Sequence, residues 1–198
     1  MAPREIGRLL RASTAGFIAG CRVSQLETPS YGALVHVPLG SAIQVYGLIY
    51  DIHIDDDGLV RQLVTAENVS PEVMQDNRER RMVPVELSVL TVGYEQAGRI
   101  YHLLPPRPPL SLDAVYLSDL NDIARFTGSG RFGYFRHILR LQDAPVADLL
   151  SAHIQQSQSS HKDPAGWKDE AVREIIALLR DDYPNLMSVL ATLNEVMG

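Results

Sequence analysis

The residues best suited to bind an anion lie in segment 124–142, which carries arginine and aromatic side chains and no acidic residue. Guanidinium groups bind phosphates and carboxylates through paired hydrogen bonds, and aromatic rings stack on bases. Arg136 and Arg140 would share one face of a helix. The segment therefore predicts binding of nucleic acid, a nucleotide or an acidic partner surface. The candidate residues are Arg125, Arg131, Phe135, Arg136 and Arg140.

The same segment has a second interpretation, in which its side chains only stabilise the fold. The arginines would then pair with aspartate and glutamate of the following helices, and the aromatic rings would fill the junction between sheet and helices. Most surface ion pairs contribute little free energy and mark no site. Both interpretations stay open from the sequence.

A glycine pattern inside this segment formally matches a dinucleotide-binding loop. Residues 128–133 read GSGRFG, which is G-x-G-x-x-G. Such a loop has to follow a strand and open the helix of a βαβ unit. Here a helical pattern precedes the glycines and no suitable strand follows them. We interpret the motif as a connector and predict no bound cofactor.

Other polar groups give no convincing metal or catalytic site. Asp51, His53 and Asp55 alternate along a strand and could hold a divalent metal, but an outward polar strand face is much commoner. The acidic run 55–57 before Gly58 resembles a calcium loop without its final glutamate, so it predicts a turn. The chain has no G-x-S-x-G elbow. We predict no metal ligand, no catalytic residue and no enzymatic activity.

Composition excludes several classes of protein. The formal net charge of −6 gives no overall attraction to nucleic acid or to an anionic membrane. The single cysteine, Cys21, excludes an intramolecular disulfide. The two lysines, Lys162 and Lys168, do not follow a glycine-rich loop, so the chain is not a P-loop ATPase. The N-terminus has no signal-peptide pattern and no apolar run spans a bilayer, so we expect a cytoplasmic protein.

The first half of the chain predicts a sheet. Residues 43–64 contain a long alternating run, a turn at 56–58 and a return strand at 59–64. Further strands are predicted at 6–12, 16–23, 33–39, 83–94 and 99–104. Six or seven short strands with glycine at the turns favour a small antiparallel β-barrel. The proline-rich run 105–109 then ends the sheet.

The second half predicts helices, and the fold class is therefore α+β. Helical patterns cover 118–127, 134–141, 145–156, 164–180 and 184–197. Ser118 is a plausible N-cap and Gly128 a C-cap. We predict a β-domain over 1–110 and an α-helical region over 111–198. The last helix carries an apolar stripe that would pack on the helix before it or form an interface with another molecule: Leu186, Met187, Leu190, Leu193 and Met197.

The first part of the chain resembles a known module, the HAS-barrel. The resemblance covers roughly residues 5–118 and rests on Ile6-Gly7-Arg8, Tyr46-Gly47-Leu48-Ile49, the proline run 105–109 and Val115-Tyr116. HAS-barrels are the N-terminal barrels of HerA-type DNA translocases and of ATP synthase subunits. In that family the barrel assembles the ATPase ring and docks accessory proteins. The ATPase domain that follows the barrel there is replaced here by the helical region.

The resemblance implies a non-enzymatic docking or assembly module. Its partner would be an ATPase or a second copy of the chain, contacted through the barrel and the C-terminal helices. The alternative is a nucleic-acid-binding accessory protein that uses segment 125–140. Added salt separates the two hypotheses, because phosphate contacts weaken steeply with salt and an apolar interface does not.

Overall fold

A computed structural model describes residues 4–23, 29–40, 42–54, 58, 65, 70–72, 75, 83–142 and 144–197. The strands are β1 (Arg4–Ala12), β2 (Gly16–Val23), β3 (Leu34–Leu39), β4 (Ile43–Ile54), β5 (Val83–Gln96), β6 (Arg99–Tyr101) and β7 (Ala114–Leu117). The predicted return strand at 59–64 lies outside the described residues, as does Asp55. Pro71 and Glu72 are helical.

Six of these strands form the predicted antiparallel barrel. The strand order is β2-β1-β7-β3-β4-β5, and pairing of β2 with β5 closes the ring. The short strand β6 pairs with the far end of β5. The sequence pattern did not predict β7, which lies between β1 and β3 and places Leu117 opposite Arg4. The barrel therefore continues past the proline run and past the predicted boundary at residue 110.

Both faces of the central strand β4 are covered for much of its length. Val45 and Ile49 point into the barrel, while Tyr46 and Leu48 pack under the helices. A register shift between Ile49 and Asp51 breaks the alternation. Tyr50 consequently lies on the helix side and Ile52 on the barrel side, although strict period two predicts one face for both. A bulge inserts one residue and so exchanges the faces beyond it.

Helices follow the barrel, as predicted. The described part of residues 118–197 contains α1 (Leu120–Thr127), α2 (Phe135–Ile138), α3 (Val146–Gln158), α4 (Pro164–Leu178) and α5 (Tyr183–Met197). The N-cap of α1 is Asp119 rather than Ser118, because the Asp119 side chain accepts hydrogen bonds from two backbone N–H groups of the first turn. Gly128 is the C-cap, as predicted. The predicted helix 134–141 is reduced to the single turn α2.

Buried side chains form two separate clusters. The barrel core fills the inside of the barrel, and its larger members are Ile6, Leu9, Phe17, Val35, Val37, Val45, Ile49, Val85, Leu87, Val89 and Val115. The junction core lies between the outer barrel wall and the helices, and includes Tyr46, Leu48, Leu90, Phe126, Phe132, Tyr134, Phe135, Leu149, Leu150, Ile154 and Trp167. The junction core fixes where segment 125–140 lies on the barrel.

Candidate functional site

Arg125, the first of the predicted binding residues, is engaged in ion pairs. Its Nη2 lies 2.6 Å from Glu95 Oε1 on β5, and its Nη1 lies 3.7 Å from Asp122 Oδ1 one helical turn earlier. The hydrogen bond to Glu95 raises the pKa of the guanidinium. The side chain therefore anchors α1 to the barrel, as the second interpretation of this segment predicts, although its partners belong to β5 and α1 rather than to the later helices.

Phe135 and Arg136 are also directed into the fold. Phe135 is fully buried in the junction core, and its ring packs against Phe132 and Tyr134 at centroid distances of 5.2 and 4.8 Å. No base can stack on a ring in that position. Arg136 donates a hydrogen bond to the carbonyl oxygen of His102. Both residues hold α2 against the barrel.

Arg131 lies in an unusual turn. Gly130, Arg131 and Phe132 all have positive φ angles, of 59°, 47° and 56°. For residues other than glycine the left-handed region costs roughly 1–2 kcal/mol per residue. Burial of the Phe132 ring against Trp167 holds the turn in place. Arg131 itself is exposed and lies beside Glu170, Arg173 and Glu174.

Arg140 lines a large groove on the surface of the barrel. This groove, which we call the basic groove, has a volume of about 780 Å³ and lies between the barrel wall and the end of α2. Arg11 from β1 and His137 from α2 line it with Arg140. Its apolar walls include Ile18, Tyr50, Leu90, Leu104 and Leu141. None of its described lining residues is acidic.

Hydrogen bonds order both sides of the basic groove. On one side, Ser13 Oγ accepts from the N–H groups of Ala15 and Gly16 at 3.2 Å, which fixes the turn between β1 and β2. On the other side, His137 Nε2 donates to the carbonyl oxygen of His102 at 3.2 Å. Burial lowers the pKa of His137, and the nearby charges of Arg136 and Arg140 lower it further. The imidazole is thus mainly neutral near pH 7.

The structure separates the residues that the sequence groups together. Arg125 and Arg136 are paired with protein groups, Phe135 is buried, and Arg131 and Arg140 line different cavities that share no residue. Arg11, which the sequence did not single out, lies with Arg140 instead. Arg11 is more than 120 residues away in the chain, and only the pairing of the strands brings the two side chains to one groove.

A second polar cluster, which the sequence did not predict, joins α1 to strands β3, β4 and β5 of the barrel wall. Tyr46 Oη donates to Glu95 Oε2 at 3.1 Å and accepts from Gln44 Nε2 at 2.8 Å. His36 Nδ1 lies 3.1 Å from Ser118 Oγ and 3.9 Å from Asp122 Oδ2. Burial lowers the pKa of His36, while Asp122 opposes the shift. Each of these groups bonds to another protein group, which is typical of a structural network.

Buried histidines in the junction core serve as neutral hydrogen-bond partners. His153 Nδ1 donates to the carbonyl oxygen of Gly32 at 3.2 Å, and its Nε2 accepts from Tyr134 Oη at 3.0 Å. His102 Nε2 donates to the carbonyl oxygen of Phe126 at 3.1 Å. Across the described residues, no group of three histidine, cysteine, aspartate or glutamate side chains is placed to hold a metal ion.

Comparisons with known proteins do not assign this chain to a family. No protein-family model matches the chain, and no curated protein matches it either. Among the helices of the described residues, none has the length and apolar character needed to cross a bilayer. The fold itself defines the chain as a closed six-stranded antiparallel β-barrel with a C-terminal helical region.

Proposed function

We propose that this protein is a non-enzymatic docking or assembly module of the HAS-barrel type. The observation that supports this proposal is a group of exposed leucines on the outside of the barrel, which we call the leucine patch. It consists of Leu10 on β1 and of Leu110 and Leu112 in the loop before β7, and these side chains are 50%, 70% and 70% exposed.

Hydrogen bonds to backbone carbonyl groups hold the leucine patch together. The N–H of Leu112 donates to the carbonyl oxygen of Leu9 at 2.8 Å, and Ser111 Oγ donates to the carbonyl oxygen of Leu10 at 3.4 Å. Arg8 Nη1 donates to the carbonyl oxygen of Leu112 at 3.1 Å. The loop is therefore fixed on β1, and Leu10 and Leu112 line one surface cavity.

The backbone of Leu112 adds to this argument. Its φ angle is 71°, in a region that leucine rarely adopts. A residue held in such a conformation with most of its side chain in water contributes little to the stability of the isolated chain. Covering a leucine side chain contributes roughly 1.5–3 kcal/mol, and strained positions that persist often belong to functional surfaces. A partner that covers the patch would recover this free energy.

The last helix offers a second apolar surface. The predicted stripe divides: Leu193 is buried, Leu186 and Leu190 are half-buried, and Met187 is 47% exposed. Helix α5 packs mainly on α3, not on α4 as its position in the sequence suggested. The buried part of the stripe therefore packs internally, and an interface at the exposed Met187 stays a prediction.

The partner that the HAS-barrel resemblance implies is an ATPase or a second copy of this chain. Light scattering on the purified protein at micromolar to millimolar concentration tests self-association. Affinity purification followed by identification of the co-eluting chain tests the ATPase. We expect Leu110→Ser with Leu112→Asn to abolish whichever association is found, since asparagine tolerates positive φ.

The matched control is Leu120→Ser at the start of α1, because Leu120 is 60% exposed and lies outside the leucine patch. This variant should associate like the wild type. A wild-type protein that stays monomeric and co-purifies with no other chain would refute the proposal. Equal association of the patch variant and the control would refute the role of the patch.

The alternative function, a nucleic-acid-binding accessory, has less support. Of the predicted binding residues, Arg125 is exposed but paired with Glu95, while Arg131 and Arg140 are exposed and line different cavities. Binding of labelled single- and double-stranded oligonucleotides at low and at physiological salt tests this function. Phosphate contacts predict affinity that falls steeply between the two conditions.

A further inference from the structure

We propose that the basic groove is a binding site for a small phosphate ester with an aromatic or apolar body, of which a mononucleotide is the simplest example. This site would be additional to the docking function, and neither proposal depends on the other. No part of the leucine-patch loop at 110–112 lines the groove.

The charge of the groove favours an anion. Arg11 and Arg140 are exposed and make no ion pair with any described residue, whereas Arg125 pairs with Glu95 and Arg136 donates to a backbone carbonyl. Two unpaired guanidinium groups at one cavity, whose described lining contains no acidic residue, create a local positive potential in a chain whose net charge is −6. Guanidinium groups bind phosphate through two parallel hydrogen bonds, so a phosphate matches this pair better than a halide or another small ion.

The shape and the walls of the groove favour a ligand larger than phosphate alone. Its volume of about 780 Å³ lies within the range of small-molecule sites, which is roughly 300–1,000 Å³. Most such sites combine apolar walls with a few polar groups that orient the ligand. Here the half-buried ring of Tyr50 and the side chains of Leu90, Leu104 and Leu141 supply the apolar part. A flat ring or an acyl body would cover these walls while its phosphate reaches the arginines.

Hydrogen bonds within the protein hold the elements that line the groove. The Ser13 turn fixes the strand end that carries Arg11, and the bond from His137 to His102 fixes the helix turn that precedes Arg140. Because these elements are held by their own hydrogen bonds, a ligand would have to order only the two arginine side chains. Preorganisation of this kind lowers the entropic cost of binding.

Isothermal titration calorimetry on the full chain at low salt tests the proposal with three probes: adenosine 5′-monophosphate, inorganic phosphate and adenosine. We expect the monophosphate to bind more tightly than inorganic phosphate and the uncharged nucleoside not to bind measurably. In the variant Arg11→Gln with Arg140→Gln, the affinity for the monophosphate should fall roughly tenfold or more, because hydrogen bonds to charged groups are lost.

The matched control is Arg180→Gln, which removes one exposed positive charge at the end of α4 and should leave binding unchanged. A second variant, Leu104→Ser, tests the apolar wall, because Leu104 is 43% exposed whereas Leu90 is buried. This variant should weaken binding of the monophosphate but not binding of inorganic phosphate.

Three results would overturn the proposal. The first is no binding of the monophosphate to the wild type. The second is equal binding to the wild type and to the double arginine variant. The third is binding of inorganic phosphate as tight as that of the monophosphate, which would leave an ion site without a role for the walls. Oligonucleotide binding without monophosphate binding would favour the nucleic-acid alternative instead.

Discussion

The two cores of this protein differ in chemistry. The barrel core consists of aliphatic side chains together with Phe17 and Cys21, enclosed by a closed ring of strands. The junction core combines six buried aromatic rings with aliphatic side chains and contacts three buried histidines, His36, His102 and His153. Strand pairing alone fixes the barrel, whereas hydrogen bonds between specific side chains fix how the helices lie on it.

Because of this difference, we expect the two regions to respond differently to pH and to mutation. Apolar packing inside the barrel depends on volume and does not depend on protonation. In the junction core, adding a proton to the buried His153 places a charge among apolar groups, and Nε2 can then no longer accept from Tyr134 Oη. The following experiments test that contrast.

The largest effect is expected for Phe126→Ala. The Phe126 ring is fully buried and packs against Tyr46, His102 and Tyr134 at centroid distances of 4.6, 4.8 and 5.3 Å. Removing it should lower the free energy of unfolding by about 4 kcal/mol, as measured by chemical denaturation. Hydrogen exchange should show faster opening of the helices than of β1 and β2. The control in the barrel core is Leu87→Ala, for which we expect about 3 kcal/mol and faster exchange in the strands.

Acid should weaken the junction core. Burial lowers the pKa of His153 from its usual 6.5 to about 4, and the bond to Gly32 only partly opposes this shift. The unfolded chain therefore binds a proton more readily than the folded chain between these values. The contribution of His153 to stability is complete above pH 6.5 and is lost as the pH falls towards 4, by about 3 kcal/mol.

Urea denaturation at a series of pH values between 7 and 4 measures this loss. The pKa values of His36, His102 and His137 are also lowered by burial, so they change stability in the same direction. Replacing His153 with glutamine should flatten the acid dependence, while Leu87→Ala should leave its slope unchanged. Equal slopes in the wild type and the His153 variant would show that this histidine does not carry the effect.

A smaller effect is expected at the ion pair between Arg125 and Glu95. The Arg125 side chain is 43% exposed, so solvent screens the pair, and Arg125→Gln should cost about 1 kcal/mol or less. Glu95 keeps the hydrogen bond from Tyr46 in this variant. A double-mutant cycle with Glu95→Gln measures the coupling, which should shrink as salt is added. A coupling that does not change with salt would mean that packing dominates.

The smallest effect should be a gain in stability at the turn between β5 and β6. Ala97 and Gly98 both have positive φ angles, of 51° and 78°. Asparagine followed by glycine suits this type of two-residue turn far better than alanine does. Ala97→Asn should therefore stabilise the protein by about 0.5 kcal/mol. The melting temperature of the variant checks this, and a decrease would contradict the assigned backbone conformation.

The sequence predicted the fold class because its signals are local. Alternation along β2, β4 and β5, glycines at turns and proline near the start of α4 each reflect the conformational preference of a few neighbouring residues. The sequence did not predict β7, because this strand has only four residues and so shows no clear alternation of polar and apolar side chains. It also missed the face exchange beyond Tyr50, because a bulge depends on the partner strand and leaves no mark in the pattern of its own strand.

The candidate site was less predictable for a related reason. Segment 125–140 is basic in sequence, but Glu95 lies 30 residues earlier and pairs with Arg125 only because β5 runs beneath α1. Phe135 looked like a stacking residue, since burial in a core between two layers cannot be read from its neighbours. Arg11 gave no signal because nothing near it in the chain indicates a cavity. Sites formed across long loops of chain depend on tertiary packing that single-sequence patterns do not encode.

The pairing of Arg4 with Leu117 has a consequence for how the protein can be connected to others. It brings the entry and the exit of the barrel chain side by side, so that any polypeptide attached ahead of Arg4 emerges next to the start of α1. A load applied through such an attachment would pull on the β1–β7 pair from a single point.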